Sequence, residues 1–318
     1  MEAIINTHVG RGSADFYMKE CKVDRIMDIF QSYRMEPTPL DQYDSIGKAL
    51  LRNRISAAVH TNNPIRFVML GFPFKSSNKR DKVLGDIPDM AERVTLENFD
   101  NFFKDVSSVY SGGVQFNIIS DGYVFNDLLK IEDTTVEKYV DMNINMSSTA
   151  IKFYTLKDFY KGYVLNDKRN RLINDFGITA EELQKQTLFN KNINYLYTGM
   201  FRFMEEELSI NPFPSKNSLT KAAKLLTREM MLRNEAYSNL VSSEFSDMIR
   251  LSMHKSINDG QKYSFKLIPG KDTIHSAWHC ALLINNDSTY STIHKREGVE
   301  KGYELVYINN EPSHFVAA

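Results

Sequence analysis

The chain has 318 residues, 42% of them hydrophobic and 25% charged, with a formal net charge of −1. That balance excludes a bulk field for nucleic acid or an anionic membrane, and two cysteines, Cys21 and Cys280, supply neither a disulfide framework nor a cysteine zinc site. No apolar run approaches the roughly 20 residues of a membrane span, and no basic-then-apolar leader opens the sequence, so the expectation is a cytoplasmic chain.

Residues 1–60 read as a helical N-terminal extension packed on the core. One helix falls around Cys21 to Tyr33 and another around Tyr43 to His60, with Glu36-Pro37-Thr38-Pro39 between them. Residues 61–318 read as one compact domain. The run Ile65 to Leu70 is a buried strand that empties at Gly71 into a loop rich in cations. Asp89 to Tyr110 has helical spacing, Val114 to Ile119 is a second buried strand ending in Ser120-Asp121-Gly122, Val136 to Met142 is a short helix and Ala150 to Thr155 a third strand. Strand, helix, strand over about 55 residues fits a right-handed βαβ unit. Residues 166–245 are mostly helical, and Met248 to Met253, Tyr263 to Ile268, Cys280 to Ile284, Tyr303 to Ile308 and His314 to Val316 read as a β-rich C-terminal layer. The fold class is therefore α/β: a Rossmann-like, mostly parallel sheet flanked by helices, with a helical middle and a β-rich tail.

Ligands of open α/β sheets gather outside the carboxyl ends of the strands. The loop after the first strand carries Lys75, Ser76, Ser77, Asn78, Lys79, Arg80 and Lys82, a set suited to anionic oxygens. A solvated surface turn explains the same composition. Asp121 either holds an amine or hydroxyl at the same edge or caps its own turn. His254 ends a strand, where an imidazole can move protons near neutral pH. His275 and His279 have the i, i+4 spacing of helical metal ligands but lack the glutamate of the zincin pattern, so no metal is assigned. Arg202 and Glu205 to Glu207 read as ordinary charge pairing along one helix.

Six stretches in this order carry a resemblance: "GFPFKSSNKRDKVLGDIPDMAE" at 71–92, "SDGYVFNDLL" at 120–129, "YTGMFRFMEEEL" at 197–208, "IRLSMHKS" at 249–256, "SAWHCALLI" at 276–284 and "YELVYINNEPSHFV" at 303–316. Together they resemble the isocyanide (isonitrile) synthase family, also called the pyoverdine/dityrosine biosynthesis family, over roughly residues 60–316. The family pattern has proline after the histidine of the fourth stretch, where this chain has Lys255.

The resemblance implies an enzyme that joins an aromatic L-amino acid, tyrosine or tryptophan, to ribulose 5-phosphate, whose donated carbon becomes the isonitrile carbon. It implies no cofactor and no metal. It places a downstream iron/2-oxoglutarate oxygenase in the same pathway. It assigns Lys75, Ser76, Asn78 and Lys82 to anion binding, with Lys75 alternatively a Schiff-base lysine. His254 and His279 are then the acid/base pair, Asp121 an amine anchor or base, and Arg250 a further anion clamp. Phe72, Phe74, Tyr123 and Trp278 would line the aromatic pocket. The alternatives are formylation of the tyrosine nitrogen, as in the dityrosine branch, and a non-catalytic sugar-phosphate or amino-acid binding protein.

Overall fold

The computed structural model describes residues 6–270 and 275–317, with side chains from Ala14 onward. Residues 1–5 of the expected N-terminal extension lie outside the described residues. In chain order the helices are α1 (Asn6–Tyr33), α2 (Lys48–Thr61, entered through a π-turn at Tyr43–Gly47), α3 (Met90–Val109), α4 (Gly122–Phe125), α5 (Asp133–Met146), α6 (Leu156–Phe159), α7 (Leu165–Phe176), α8 (Ala180–Phe189), α9 (Lys191–Leu208), α10 (Lys216–Glu244) and α11 (Lys295–Glu300). The strands are β1 (Ile65–Leu70), β2 (Val114–Ile119), β3 (Ile151–Tyr154), β4 (Ile249–Ser252), β5 (Tyr263–Ser264), β6 (Ala281–Ile284), β7 (Tyr290–Ile293), β8 (Glu304–Ile308) and β9 (Glu311–Val316).

Five strands form one wholly parallel sheet in the order β3-β2-β1-β4-β5. Period-two alternation divides its faces. Phe67, Met69, Phe116, Ile118, Ile249 and Leu251 face one cluster with Val23, Ile26, Phe30, Leu51, Ile55, Phe99 and Phe102. Val68 and Ile119 face the other, with Leu172, Met204, Tyr237 and Leu240. Helices α1 and α2 therefore contribute to the same core as the sheet. Helix α3 begins at a full capping box: Asp89 accepts from the Ala91 N–H at 2.9 Å, and Glu92 accepts from the Asp89 N–H at 2.9 Å.

The tail is only partly a separate layer. Of the five segments read as its strands, β4 and β5 extend the parallel sheet, and the second, mixed sheet has the order β7-β6-β9-β8. The segment expected as a strand over Tyr263 to Ile268 pairs only at Tyr263–Ser264, after which Phe265, Leu267 and Ile268 turn into the core. Strand β7 escaped the sequence because Tyr290-Ser291-Thr292-Ile293 is short and half polar. It is recognised by its antiparallel pairing with β6.

Candidate active site at the carboxyl edge of the sheet

The strand order reverses beside β1: the chain leaves β1 for β2 on one side and later places β4 on the other. Such a switch point splays the flanking loops and opens a crevice. Gly71 to Phe74 and Met253-His254 flank it. The backbone there is tightly specified. Phe72 holds φ at 56°, an uncommon value for a residue with a side chain, and its carbonyl accepts from Ser120 Oγ at 2.8 Å. A Cβ on Gly122 would lie 2.4 Å from the Pro73 carbonyl oxygen and 2.6 Å from Val136 Cγ1. Glycine lets the turns after β1 and β2 touch.

The cations of the loop are committed internally. Lys75 has no exposed side-chain surface. Its Nζ lies 2.8 Å from Asp89 Oδ2 and 2.8 Å from Glu92 Oε2, and donates to the Ala277 carbonyl at 3.1 Å. The Ala277 contact is a hydrogen bond and the two carboxylate contacts are ion pairs. Burial opposes the charge, but the two carboxylates outweigh it and raise the Lys75 pKa. Burial also raises Glu92, against the pull of Lys75, and Tyr139 donates to its second oxygen at 2.8 Å. The expectation that Lys75 binds a substrate anion or forms a Schiff base therefore meets a fully buried lysine, already paired with two carboxylates, whose charge is strengthened. It ties the loop to α3 and to the Ala277–His279 turn.

The rest of the loop does cradle an anion, and the anion is Glu207 from α9. Ser76 Oγ donates to its two oxygens at 2.6 and 2.8 Å, Ser77 Oγ at 2.7 Å, the Asn78 N–H at 3.2 Å and Lys82 Nζ at 3.0 Å. Lys82 also pairs with Glu206 at 2.7 Å and sits over the Phe203 ring at 4.8 Å. The Asn78 side chain is spent on the Glu206 carbonyl and the Asp81 N–H. Burial opposes ionisation of Glu207, but Lys82 and the serine hydroxyls hold its pKa below the ordinary value. Ser76, Asn78 and Lys82 thus have the anion-binding chemistry expected of them, directed at a side chain of the same molecule. Glu206 and Glu207 pair with Lys82 in place of the expected partner Arg202.

Asp121 is the opposite case. It precedes α4 without capping that helix, and its own backbone N–H is the one donor to its carboxylate among the described residues. Its Oδ1 is buried without a partner. Burial pushes its pKa up to about 7. Tyr237 of α10 stands beside it and donates to the Ser120 carbonyl at 2.9 Å. An unsatisfied buried carboxylate oxygen costs free energy unless some donor completes it.

Beyond β1, roughly two strand spacings or about 10 Å from the end of β2, the end of β4 presents His254. Solvent reaches this ring, yet surrounding protein, then the charge of Lys262, depresses its pKa. It is a solvent-accessible imidazole with protein on its other sides. His279 is half-buried against Phe203, with ring centroids 5.0 Å apart, and its Nδ1 is 3.1 Å from Ser276 Oγ. Burial lowers its pKa; Glu207 opposes that, while Lys82, His254 and His275 add to it. It is a neutral imidazole at physiological pH, suited to accept a proton or donate a hydrogen bond. His275 stacks on His294 with centroids 4.7 Å apart, and among the described residues no three histidine, cysteine or acidic side chains gather in a metal-binding group.

The aromatic assignments change. Phe72, Phe74 and Trp278 are all at most 3% exposed, Phe72 packing on Trp278 at 4.9 Å and on Phe153 at 5.7 Å. Phe74 lies in the other core cluster. Large apolar rings after a buried strand are drawn into the core, so these three, and Tyr123 with them, support the floor of the crevice instead of lining it.

Residues 55–306 match the family described as pyoverdine/dityrosine biosynthesis protein. The chain belongs to this family. It is 30% identical over 295 residues to an L-tyrosine isonitrile synthase of Pseudomonas aeruginosa, covering 90% of this chain and 89% of that one. It is 29% identical over 269 residues to an L-tryptophan isonitrile synthase of Fischerella ambigua, covering 83% of each. The crystal structure of the PvcA protein from Pseudomonas aeruginosa is similar with a TM-score of 0.83 at 28% identity, over 93% of this chain and 99% of that one. Within this family member, sequence reasoning missed Glu207 as the anion held by the loop, and it gave no part to Lys262, whose charge acts on His254. Glu207 was hidden in an acidic run that resembles surface pairing. For Lys262, the available signal was a lysine immediately ahead of a buried strand.

Proposed function

We propose that this chain is an isonitrile synthase that converts the amino group of an aromatic L-amino acid to an isocyanide, with ribulose 5-phosphate as the one-carbon donor. The observation that carries the reading is Asp121. A half-buried carboxylate with one oxygen, Oδ1, unsatisfied among the described residues and a pKa near 7, at the carboxyl end of β2 beside the switch point, is equipped to bind a substrate ammonium and take its proton. The relatives named for action on tyrosine and tryptophan support an aromatic amino acid here.

The chemistry asks for condensation of the amine with the sugar ketone, loss of water and carbon–carbon cleavage around the donated carbon. Each step moves protons. In this reading Asp121 deprotonates the amine, and His254 and neutral His279 exchange protons with the sugar-derived atoms across the crevice. Arg250 clamps an anionic group of the substrate. Lys75 acts as a fixed strut, because an amine held by two carboxylates is a poor nucleophile.

The test incubates the protein with ribulose 5-phosphate labelled at the ketone carbon and either tyrosine or tryptophan. Label in an isonitrile, identified by mass and infrared absorption, is the expected result. A labelled formamide would reassign the chain to N-formylation, a product differing by one water. No consumption of either amino acid would overturn the enzyme reading.

A further inference from the structure

Two cations at the far side of the crevice have no ion-pair partner among the described residues. Arg250 lies on β4, and the pairings Leu251↔Tyr263 and Ser252↔Ser264 place Lys262 level with it on the neighbouring strand, one residue ahead of β5. Alternation puts Arg250 on the face that carries Val68 and Asn117, toward α10, and the same register aims Lys262 that way. Helix α10 fixes the guanidinium: Nη1 donates to the Ser238 carbonyl at 3.2 Å and to Ser242 Oγ at 2.7 Å, and Nη2 donates to Ser238 Oγ at 2.9 Å. Nε and one Nη2 hydrogen remain without a protein acceptor among the described residues. Glu235 of α10 and Asp259 are the carboxylates that face the pair, and neither approaches within the 4.0 Å of a salt bridge. Lys262 is exposed to solvent, and nearby protein, then Arg250, depresses its pKa, so a ligand from solvent can reach its ammonium close to the Arg250 guanidinium. His254 lies close enough to feel that charge.

Other inward-facing cations are neutralised by carboxylates, Lys75 by Asp89 and Glu92, Lys82 by Glu206 and Glu207, and Arg233 by Asp127 and Glu229, while buried Lys168 donates to the Tyr160 carbonyl. Arg250 and Lys262, level with each other on β4 and just ahead of β5, have no carboxylate at ion-pair distance among the described residues. A planar donor fixed by three hydrogen bonds beside a mobile ammonium suits a compact dianion that accepts from both at once.

We propose that Arg250 and Lys262 form the subsite for a phosphate monoester, with His254 at its inner margin. This rests on the proposed use of a sugar phosphate and adds which residues hold the phosphate. The amino acid then binds toward Asp121 and the phosphate beyond β4, which places the sugar ketone in the crevice between them.

Inorganic phosphate and ribulose 5-phosphate are each titrated by calorimetry into wild type, Lys262→Met, Lys262→Arg and, as a surface control, Lys224→Met. Lys262→Met is expected to weaken both ligands at least tenfold. Lys262→Arg is expected to retain most of the affinity, and Lys224→Met to match wild type. In turnover, Lys262→Met should raise KM for the sugar phosphate and leave KM for the amino acid unchanged. Equal affinities in wild type and Lys262→Met, or no phosphate binding to wild type, would overturn the subsite. Wild type that binds inorganic phosphate through Lys262 yet makes no isonitrile would keep the subsite and overturn the functional reading.

Discussion

Two groups of charged residues flank the crevice, and they are built differently. In the loop after β1, every site lysine is matched: Lys75 to Asp89 and Glu92, Lys82 to Glu206 and Glu207. After β2, on β4 and just ahead of β5, Asp121, Arg250 and Lys262 have no counter-charge at ion-pair distance among the described residues. The density of charge in a sequence therefore marks where a protein has assembled an internal network as readily as where it receives a ligand. The unmatched charge marks the ligand, because only binding repays its desolvation.

The sharpest way to break this contrast is Asp121→Asn. Turnover should fall by roughly 10²- to 10⁴-fold, the usual contribution of a positioned acid or base, while the melting temperature at pH 8 should stay level or rise. A variant that kept full turnover would remove Asp121 from the chemistry.

Lys75→Met tests the matched side. It strands two buried carboxylates, and breaking such a pair costs about 3–5 kcal/mol. Urea unfolding should show the loss, and adding Glu92→Gln should recover part of it. A stable Lys75→Met protein without turnover would instead return Lys75 to catalysis. Glu207→Gln should cost less, about 1.5–3 kcal/mol, since it weakens charge-assisted bonds without emptying the cradle.

Gly122→Ala should destabilise by about 1–3 kcal/mol through overpacking against Pro73 and Val136. Because that turn carries Asp121, turnover should drop with it.

The smallest effect is the pH dependence of stability. The folded pKa of Asp121, about 7, exceeds the ordinary carboxylate value. The native state thus binds a proton that the unfolded chain has released, and its stability declines as pH rises from about 4 to about 7. The melting-temperature difference between Asp121→Asn and wild type should open across that window and level off above it. A constant difference from pH 4 to 8 would mean that Asp121 titrates normally.

Much of the fold was legible because it rests on local pattern. The apolar runs of β1 and β2, the spacing of α3 and the helical stretch through α9 and α10 state their own periods, and the structure places elements at those positions. Strands β4 and β5 were legible as strands but not as members of the parallel sheet, since four- and two-residue segments carry no register. The site divides similarly. Position identified Asp121 and His254 at strand ends. It also nominated Lys75, Ser76, Asn78 and Lys82, but nothing along the chain reveals that Glu207, 125 residues beyond Lys82, closes on that loop.

The sequence by itself determined which segments are helices and strands, and which loop would hold the cations, because backbone preference and apolar period act over neighbouring residues. It also carried the family, through motifs of unusual length and order. Only the tertiary structure decided which charges are spent on one another and which remain for a ligand. Charge neutralisation acts through space at ion-pair distance, and strand order, which sets those distances, is a property of the assembled sheet.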